Sequence, residues 1–146
     1  MPRSRCFPIV CAIFLTTGCE DPSAPLAIPS SYVARSVEGT SLPATFIHGD
    51  ASDVALVADT IHFHFGGLAE RISIQRLGRI EGVTVDTIRS RESYTVQGHS
   101  VFFHRYCPPD ANCVGPPEGV FSADRRKLFL RLWHSGPLAV YDRVRP

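Results

Sequence analysis

The sequence of 146 residues predicts an all-β fold, a small antiparallel up-and-down barrel of about eight strands. Three observations favour this fold. Apolar and polar residues alternate with a period of two along most of the chain after Ser31, as they do in half-buried strands. Turn residues separate these runs at short intervals, and no stretch has the longer periodicity of an amphipathic helix. A β-sandwich is the alternative architecture.

The strands are expected to follow one another as hairpins within residues 32–146, which form a single predicted domain. Ile72 and Ile74 illustrate the pattern, since they share one face of their run, and Gln97-Gly98 is a typical hairpin turn. Closing such a sheet into a barrel removes its exposed edges. The eleven alternating runs are interpreted as eight or nine strands. In chain order the runs are 32–37, 44–48, 54–57, 60–65, 71–76, 83–88, 92–96, 100–106, 119–122, 127–133 and 138–144.

Residues 1–18 have the composition of a secretory signal peptide. Arg3 and Arg5 give a positive start, and residues 6–15 form an apolar stretch that small residues follow. The stretch is too short to cross a bilayer, which needs about 20 apolar residues. The segment therefore predicts export and removal of the signal.

The end of this segment, Thr16-Thr17-Gly18-Cys19, resembles the lipobox of bacterial lipoproteins. The resemblance implies that Cys19 is acylated, with palmitate as a typical chain, and becomes the new N-terminus. It also implies a lipid anchor on the extracytoplasmic side of a membrane of the bacterial cell envelope. Residues 19–31 contain three prolines and small polar residues, which predicts an extended tether. An ordinary secretory signal that leaves Cys19 as a free thiol is the alternative.

The charge balance of the exported part argues against a nucleic-acid partner. Without Arg3 and Arg5, 13 basic residues stand against 14 acidic ones, a formal net charge of −1. Proteins that bind nucleic acid usually carry clustered Lys and Arg on a basic module. The length left after the signal suits one compact domain.

Two cysteines remain in the predicted barrel domain, Cys107 and Cys113. An even number of cysteines in an exported protein favours a disulfide, and the turn-rich segment between them allows their ends to meet. Free thiols are one alternative. A metal site with the nearby His104 is another, although five intervening residues exceed the usual spacing of a zinc knuckle.

Two hairpins, 93–103 and 120–130, share a pattern. Each has an aromatic and a hydroxyl residue before a polar turn and an alternating apolar strand after it. This rhythm resembles that of small lipocalin-like lipoprotein domains of the bacterial envelope, and the resemblance covers most of residues 32–146. It implies a small barrel that binds a small molecule.

His62 and His64 are candidate metal ligands, because period two places both imidazoles on one face of a strand. His99 or His104 would complete the site if their strands lay alongside. In the alternative interpretation the apolar residues Ile61, Phe63 and Phe65 point inward, and both histidines simply face solvent.

Aromatic and leucine residues near the end of the chain predict the core. Tyr94, Phe103, Phe121 and Phe129 alternate with polar residues and are expected to fill it. In the strand that carries Phe129, the leucines 128, 130 and 132 share one face, whereas Phe129, Arg131 and Trp133 share the other. If the leucines are inside, the second face forms an apolar patch that suits a partner or glycan, unless a loop covers it.

Signatures of catalysis are missing from the sequence, which has no Gly-x-Ser-x-Gly, His-Glu-x-x-His or phosphate-binding glycine loop. We therefore expect no catalytic residues and no cofactor. The expected function is that of a cell-envelope lipoprotein whose barrel is a non-catalytic protein-interaction or structural module. The alternatives are carriage of a small apolar ligand in the barrel, or weak metal binding by His62 and His64.

Cys19→Ser should release the protein from membranes, because the acyl chains supply the anchor. The measurement is the fraction of protein that sediments with membranes in high salt, and Cys11→Ser, within the signal, serves as the control. A Cys19→Ser protein that still sediments would contradict lipidation at this residue.

Overall fold

The computed structural model describes residues 29–49, 52–104 and 115–144, and every regular element within these ranges is a strand. The prediction of an all-β fold is confirmed. The ten strands are β1 (Ser30–Val37), β2 (Thr40–Ser41), β3 (Ala44–His48), β4 (Ser52–His64), β5 (Leu68–Arg79), β6 (Gly82–Gln97), β7 (Ser100–His104), β8 (Glu118–Phe121), β9 (Lys127–Arg131) and β10 (Leu138–Val144).

Eight of these strands form a closed antiparallel barrel, which confirms the predicted architecture over the sandwich. From β4 to β10 each strand of the ring pairs with the next along the chain, and β1 joins β10 on one side and β4 on the other. The short β2 and β3 pair with β1 and β4, respectively, and lie outside the ring. Because the ring closes, its strands have no free edge along the closed part.

Some predicted strand breaks are wrong. The runs 54–57 and 60–65 belong to one strand, β4, which carries a bulge between Leu56 and Ala58. The break between the runs 71–76 and 83–88 is shorter than predicted, because β5 continues through Gly78, which pairs with Asp53 on β4 and Val83 on β6. The runs 83–88 and 92–96 likewise form one strand, β6.

Aromatic side chains fill one end of the barrel, which we call the aromatic end. Phe63 lies at the centre of this cluster, with its ring centroid 4.8 Å from that of Tyr94 and 5.7 Å from that of Phe121. Tyr32 and Phe103 complete the cluster at 5.7 and 5.9 Å from Phe63. Edge-to-face and tilted contacts of this kind stabilise aromatic pairs beyond the area they bury.

The predicted core is correct in three of its four aromatic residues. Tyr94, Phe103 and Phe121 are buried inside the barrel, as expected. Phe129 is only half-buried, because the alternation of β9 places Leu128 and the next leucine inside and Phe129 on the outer surface.

The hairpin of β5 and β6 projects beyond the opposite end of the barrel, which we call the open end. β6 pairs with β5 from Gly82 onward but with β7 only from Ser93 to Gln97. Side chains in the outer half of β6 are exposed on both faces, and Val83 is 65% exposed. Because β5 pairs with β4 from Leu68 to Arg79, only the outer half of β6 forms a free edge among the described residues, and this edge borders the open end.

Phe63→Ala should lower the free energy of unfolding by about 3–5 kcal/mol, because it removes the ring at the centre of the aromatic end and leaves a cavity. Phe65→Ala is the matched control, since Phe65 lies only two residues away but is 68% exposed in the turn after β4. Urea unfolding of both variants measures the difference. Equal destabilisation would contradict the central position of Phe63.

Candidate functional site

The histidines of β4 lie on the outer surface of the barrel. His62 Nδ1 is 2.8 Å from Ser31 Oγ, and His64 Nε2 is 3.9 Å from a carboxylate oxygen of Glu70. Ile61 and Phe63 point inward, as the alternation predicts. Phe65 was expected to join them, but it belongs to a turn and is exposed.

The structure does not bring the other candidate histidines to this pair. His99 and His104 flank or belong to β7, and β7 pairs with β6 and β8 and not with β4. His104 Nε2 is instead 3.0 Å from the Thr95 hydroxyl oxygen. Within the described ranges no three His, Cys, Asp or Glu side chains come together as metal ligands.

Three sequence predictions fall wholly or mostly outside the described residues: lipidation of Cys19, the tether 19–31, and a disulfide between Cys107 and Cys113. They remain predictions. The end of the tether is an exception, because Ser30 and Ser31 belong to β1 and the barrel domain begins before the predicted Tyr32. In the part of the chain that the structure describes, no helix is long and apolar enough to cross a membrane.

A polar network that the sequence did not suggest lies inside the barrel. The Asp59 carboxylate is fully buried and accepts hydrogen bonds from Arg71 Nε at 2.9 and 3.1 Å and from Arg71 Nη2. The Tyr141 hydroxyl donates a further bond to Asp59 Oδ2 at 2.7 Å. Charged groups inside a protein are tolerated when they are paired and hydrogen-bonded in this way.

Strand register explains why these side chains meet. The inward position of Asp59 on β4 is opposite Ser73 on β5, and Arg71 is the next inward residue of β5. Tyr141 on β10 is two strands from Asp59, across β1. Its partner on β1 is Ala34, whose small side chain leaves room for the phenol to reach Asp59.

Burial and charge shift the acid–base properties of the network. Burial is the largest cause that raises the pKa of the Tyr141 hydroxyl well above its ordinary value of 10, and Asp59 raises it further. For Arg71, burial works towards a lower pKa, but Tyr141 and Asp59 outweigh it, and the net pKa is raised. Arg71 therefore stays a cation.

A cavity of about 480 Å³ opens above this network at the open end of the barrel. Small-molecule sites usually have volumes of about 300–1,000 Å³ and mainly apolar walls with a few polar groups. Apolar side chains dominate this wall as well. They are Phe46, Ile47, Ile88, Leu132 and Trp133, and the polar lining residues are Arg71, Ser73, Gln75 and Ser90.

The connection between β9 and β10 directs Trp133 to the cavity. The sequence predicted that Trp133 shares the outer face of β9 with Phe129. This prediction is wrong, because β9 ends at Arg131. The Trp133 ring instead lies 5.8 Å from the ring of Phe46, centroid to centroid. Gly136 makes this position possible, because a Cβ there would lie 2.6 Å from the indole.

Only some of the N–H donors of the Arg71 guanidinium are engaged in hydrogen bonds with described residues. Its hydrogen bonds to Asp59 employ Nε and Nη2, and no other residue in the described ranges accepts a bond from Nη1. Every fully buried side-chain nitrogen and oxygen among those residues has a partner, so Nη1 is not fully buried. Asp59 thus fixes a guanidinium that lines the cavity and a small adjoining space.

One signal in the sequence could have pointed to this network. Asp59 interrupts an otherwise mainly apolar stretch of β4, and an acidic residue at a core position calls for a partner inside. Its partners were not predictable, because they lie on β5 and β10. Comparisons with protein-family models, with curated proteins and with solved structures find no match for this chain. Function is therefore argued from the site itself.

The Tyr141→Phe variant should lose less free energy of unfolding than the wild type as the pH rises into the alkaline range. A raised pKa in the folded state leaves stability intact below the unfolded value of 10, and stability falls as the pH rises above it, by up to about 1.4 kcal/mol per pH unit. Phenylalanine cannot ionise and lacks this dependence.

Urea unfolding of both proteins from about pH 8 to about pH 11 measures the difference in slope. Tyr32, whose pKa burial also raises, is present in both proteins, so the difference isolates Tyr141. Identical slopes would show that Tyr141 ionises equally easily in the folded and unfolded chains.

Proposed function

We propose that this protein is a non-catalytic binding module of the bacterial cell envelope, anchored through lipid on Cys19, and that it holds a small amphipathic ligand at the open end of its barrel. The cavity is the observation that carries the proposal. It combines apolar walls with a few convergent polar groups, and its base is a fixed cation. Pockets of this composition are the usual sites of small ligands.

The arrangement of the barrel supports binding over catalysis. Asp59 has its oxygens occupied by Arg71 and Tyr141, so it is poorly placed to act as a general base. The hydroxyl groups of Ser73 and Ser90 have no histidine among the residues that line the cavity. The polar groups of the cavity are therefore best suited to orient a ligand.

This proposal prefers the alternative of a small-ligand carrier to the protein-interaction or structural module that the sequence suggested. The aromatic end is filled by side chains, in agreement with a structural core. The open end is different, because β3, the β5–β6 hairpin and the β9–β10 connection surround space that no described side chain fills. A lipid anchor would keep such a module close to a source of amphipathic molecules.

Ser90→Phe should abolish or greatly weaken ligand binding, because a phenyl ring at this lining position would occupy the cavity. Ser93→Phe is the matched control, since it makes the same change on the outer, exposed face of the same strand. Trp133 is the only tryptophan and lines the cavity, so its fluorescence reports binding directly.

The titration would use alkyl amphiphiles and a lipid extract from the host. We expect saturable quenching or enhancement in the wild type and in Ser93→Phe, and none in Ser90→Phe. An unchanged Trp133 signal and an unchanged melting temperature with every ligand would contradict the proposal.

A protein partner that adds a strand to β6 is the second candidate function. Among the described residues, β6 has a neighbour on only one side from Gly82 to Glu92. Val83 and Val85 are exposed there, on the outer face of the hairpin. An exposed edge with β-branched residues is a suitable template for an extended segment of another envelope protein. Absence of any ligand effect would favour this candidate.

A further inference from the structure

We propose that the ligand of the cavity has an uncharged, hydrogen-bond-accepting head group, such as the oxygen of an ester, amide or alcohol, which binds Arg71 Nη1. The apolar part of the ligand would then lie against Phe46, Leu132 and Trp133. This inference depends on the proposed function, because it specifies the ligand class of the same cavity.

The charge of Arg71 is already balanced. Its guanidinium binds the Asp59 carboxylate through two nitrogens, Nε and Nη2, and the pair is formally neutral. What remains for a ligand is the hydrogen-bonding capacity of Nη1 without an unbalanced positive charge. A neutral acceptor uses this capacity and introduces no new charge.

A carboxylate head group fits this site poorly. It would share the guanidinium with Asp59 and add a second negative charge beside a buried one. Glu92 is a further carboxylate in the interior, 8% exposed, and it lines a small adjoining space together with Arg71. An anionic ligand would therefore lose its hydration without forming an ion pair with a free cation, because the guanidinium is already paired with Asp59.

A cationic head group fits no better. The carboxylate of Asp59 is already occupied, since both of its oxygens accept hydrogen bonds from Arg71 and Oδ2 accepts another from Tyr141. Glu92 lines the small adjoining space, and the residues that line the cavity itself include no carboxylate. At the cavity wall an ammonium group would therefore meet the guanidinium without a counter-charge from a lining residue.

The remaining polar groups of the cavity are uncharged donors and acceptors. Gln75 Nε2 lies 3.5 Å from Ser73 Oγ, a distance at the limit of a hydrogen bond. Ser90 is opposite Arg71 on the neighbouring strand, and its hydroxyl has no partner among the described residues. Arg71 and Ser90 can therefore donate together to one oxygen of a neutral head group.

The test compares four amphiphiles with the same alkyl chain: the primary alcohol, the methyl ester, the carboxylate and the primary amine. Each is titrated at neutral pH, below its micelle concentration, with Trp133 fluorescence as the readout. We expect the alcohol and the ester to bind at least roughly tenfold more tightly than the two charged molecules.

The outcomes separate this inference from the proposed function. If the carboxylate or the amine binds as tightly as the neutral molecules, the inference is wrong while the ligand-binding function stands. If none of the four binds, and the host lipid extract also has no effect, both proposals fail.

Asp59→Asn provides a second test, because it removes the charge that neutralises Arg71 and keeps the shape of the side chain. We expect this variant to bind the carboxylate roughly tenfold more tightly than the wild type does, with little change for the alcohol. If the substitution damaged the site, the affinity for all four amphiphiles would fall together. A variant whose preference for neutral head groups is unchanged would overturn the role assigned to the Asp59–Arg71 pair. If the Asp59→Asn variant does not fold, the comparison of the four amphiphiles on the wild-type protein remains the test of this inference.

Discussion

The buried carboxylate of Asp59 is the constraint on which the interior of this barrel depends. It lies on β4, beside the pairing with β1 that closes the ring, and its donors come from β5 and β10. An unpaired charge at this position would be strongly unfavourable, so the strands that carry Arg71 and Tyr141 must keep their register around the closure. One residue thereby links the closing of the barrel to the position of the cation in the cavity.

The network also divides the barrel into two parts with different physical roles. At the aromatic end, Phe63 and its neighbours fill the interior with close ring contacts, as expected of a core that stabilises the fold. At the open end, Arg71 lies between that core and the cavity. The molecule leaves space at the open end and packs tightly at the aromatic end, so stability and the proposed function need not compete for the same residues.

The projecting β5–β6 hairpin extends the site beyond the ring. Its inward face supplies Gln75, Ile88 and Ser90 to the cavity, whereas its outward face exposes Val83 and Val85. Within the described residues, β5 is paired on both sides, whereas the outer half of β6 has one neighbour and is less firmly held than the closed barrel. The same element therefore serves both candidate functions, as a wall of the ligand cavity and as an edge for a protein partner.

Local pattern alone determined the all-β class, the hairpins and the inward side of most strands, because period two sets which side chains share a face. Tyr94, Phe103 and Phe121 were assigned to the core correctly on this basis. The tertiary structure decided which strands are neighbours and where the alternation shifts. The bulge after Leu56 reverses the alternation of β4, so that Leu56 and Asp59 both face the interior. Asp59 meets Tyr141, 82 residues away in sequence, only because the barrel closes, and closure is a property of the whole sheet that no single run of residues contains.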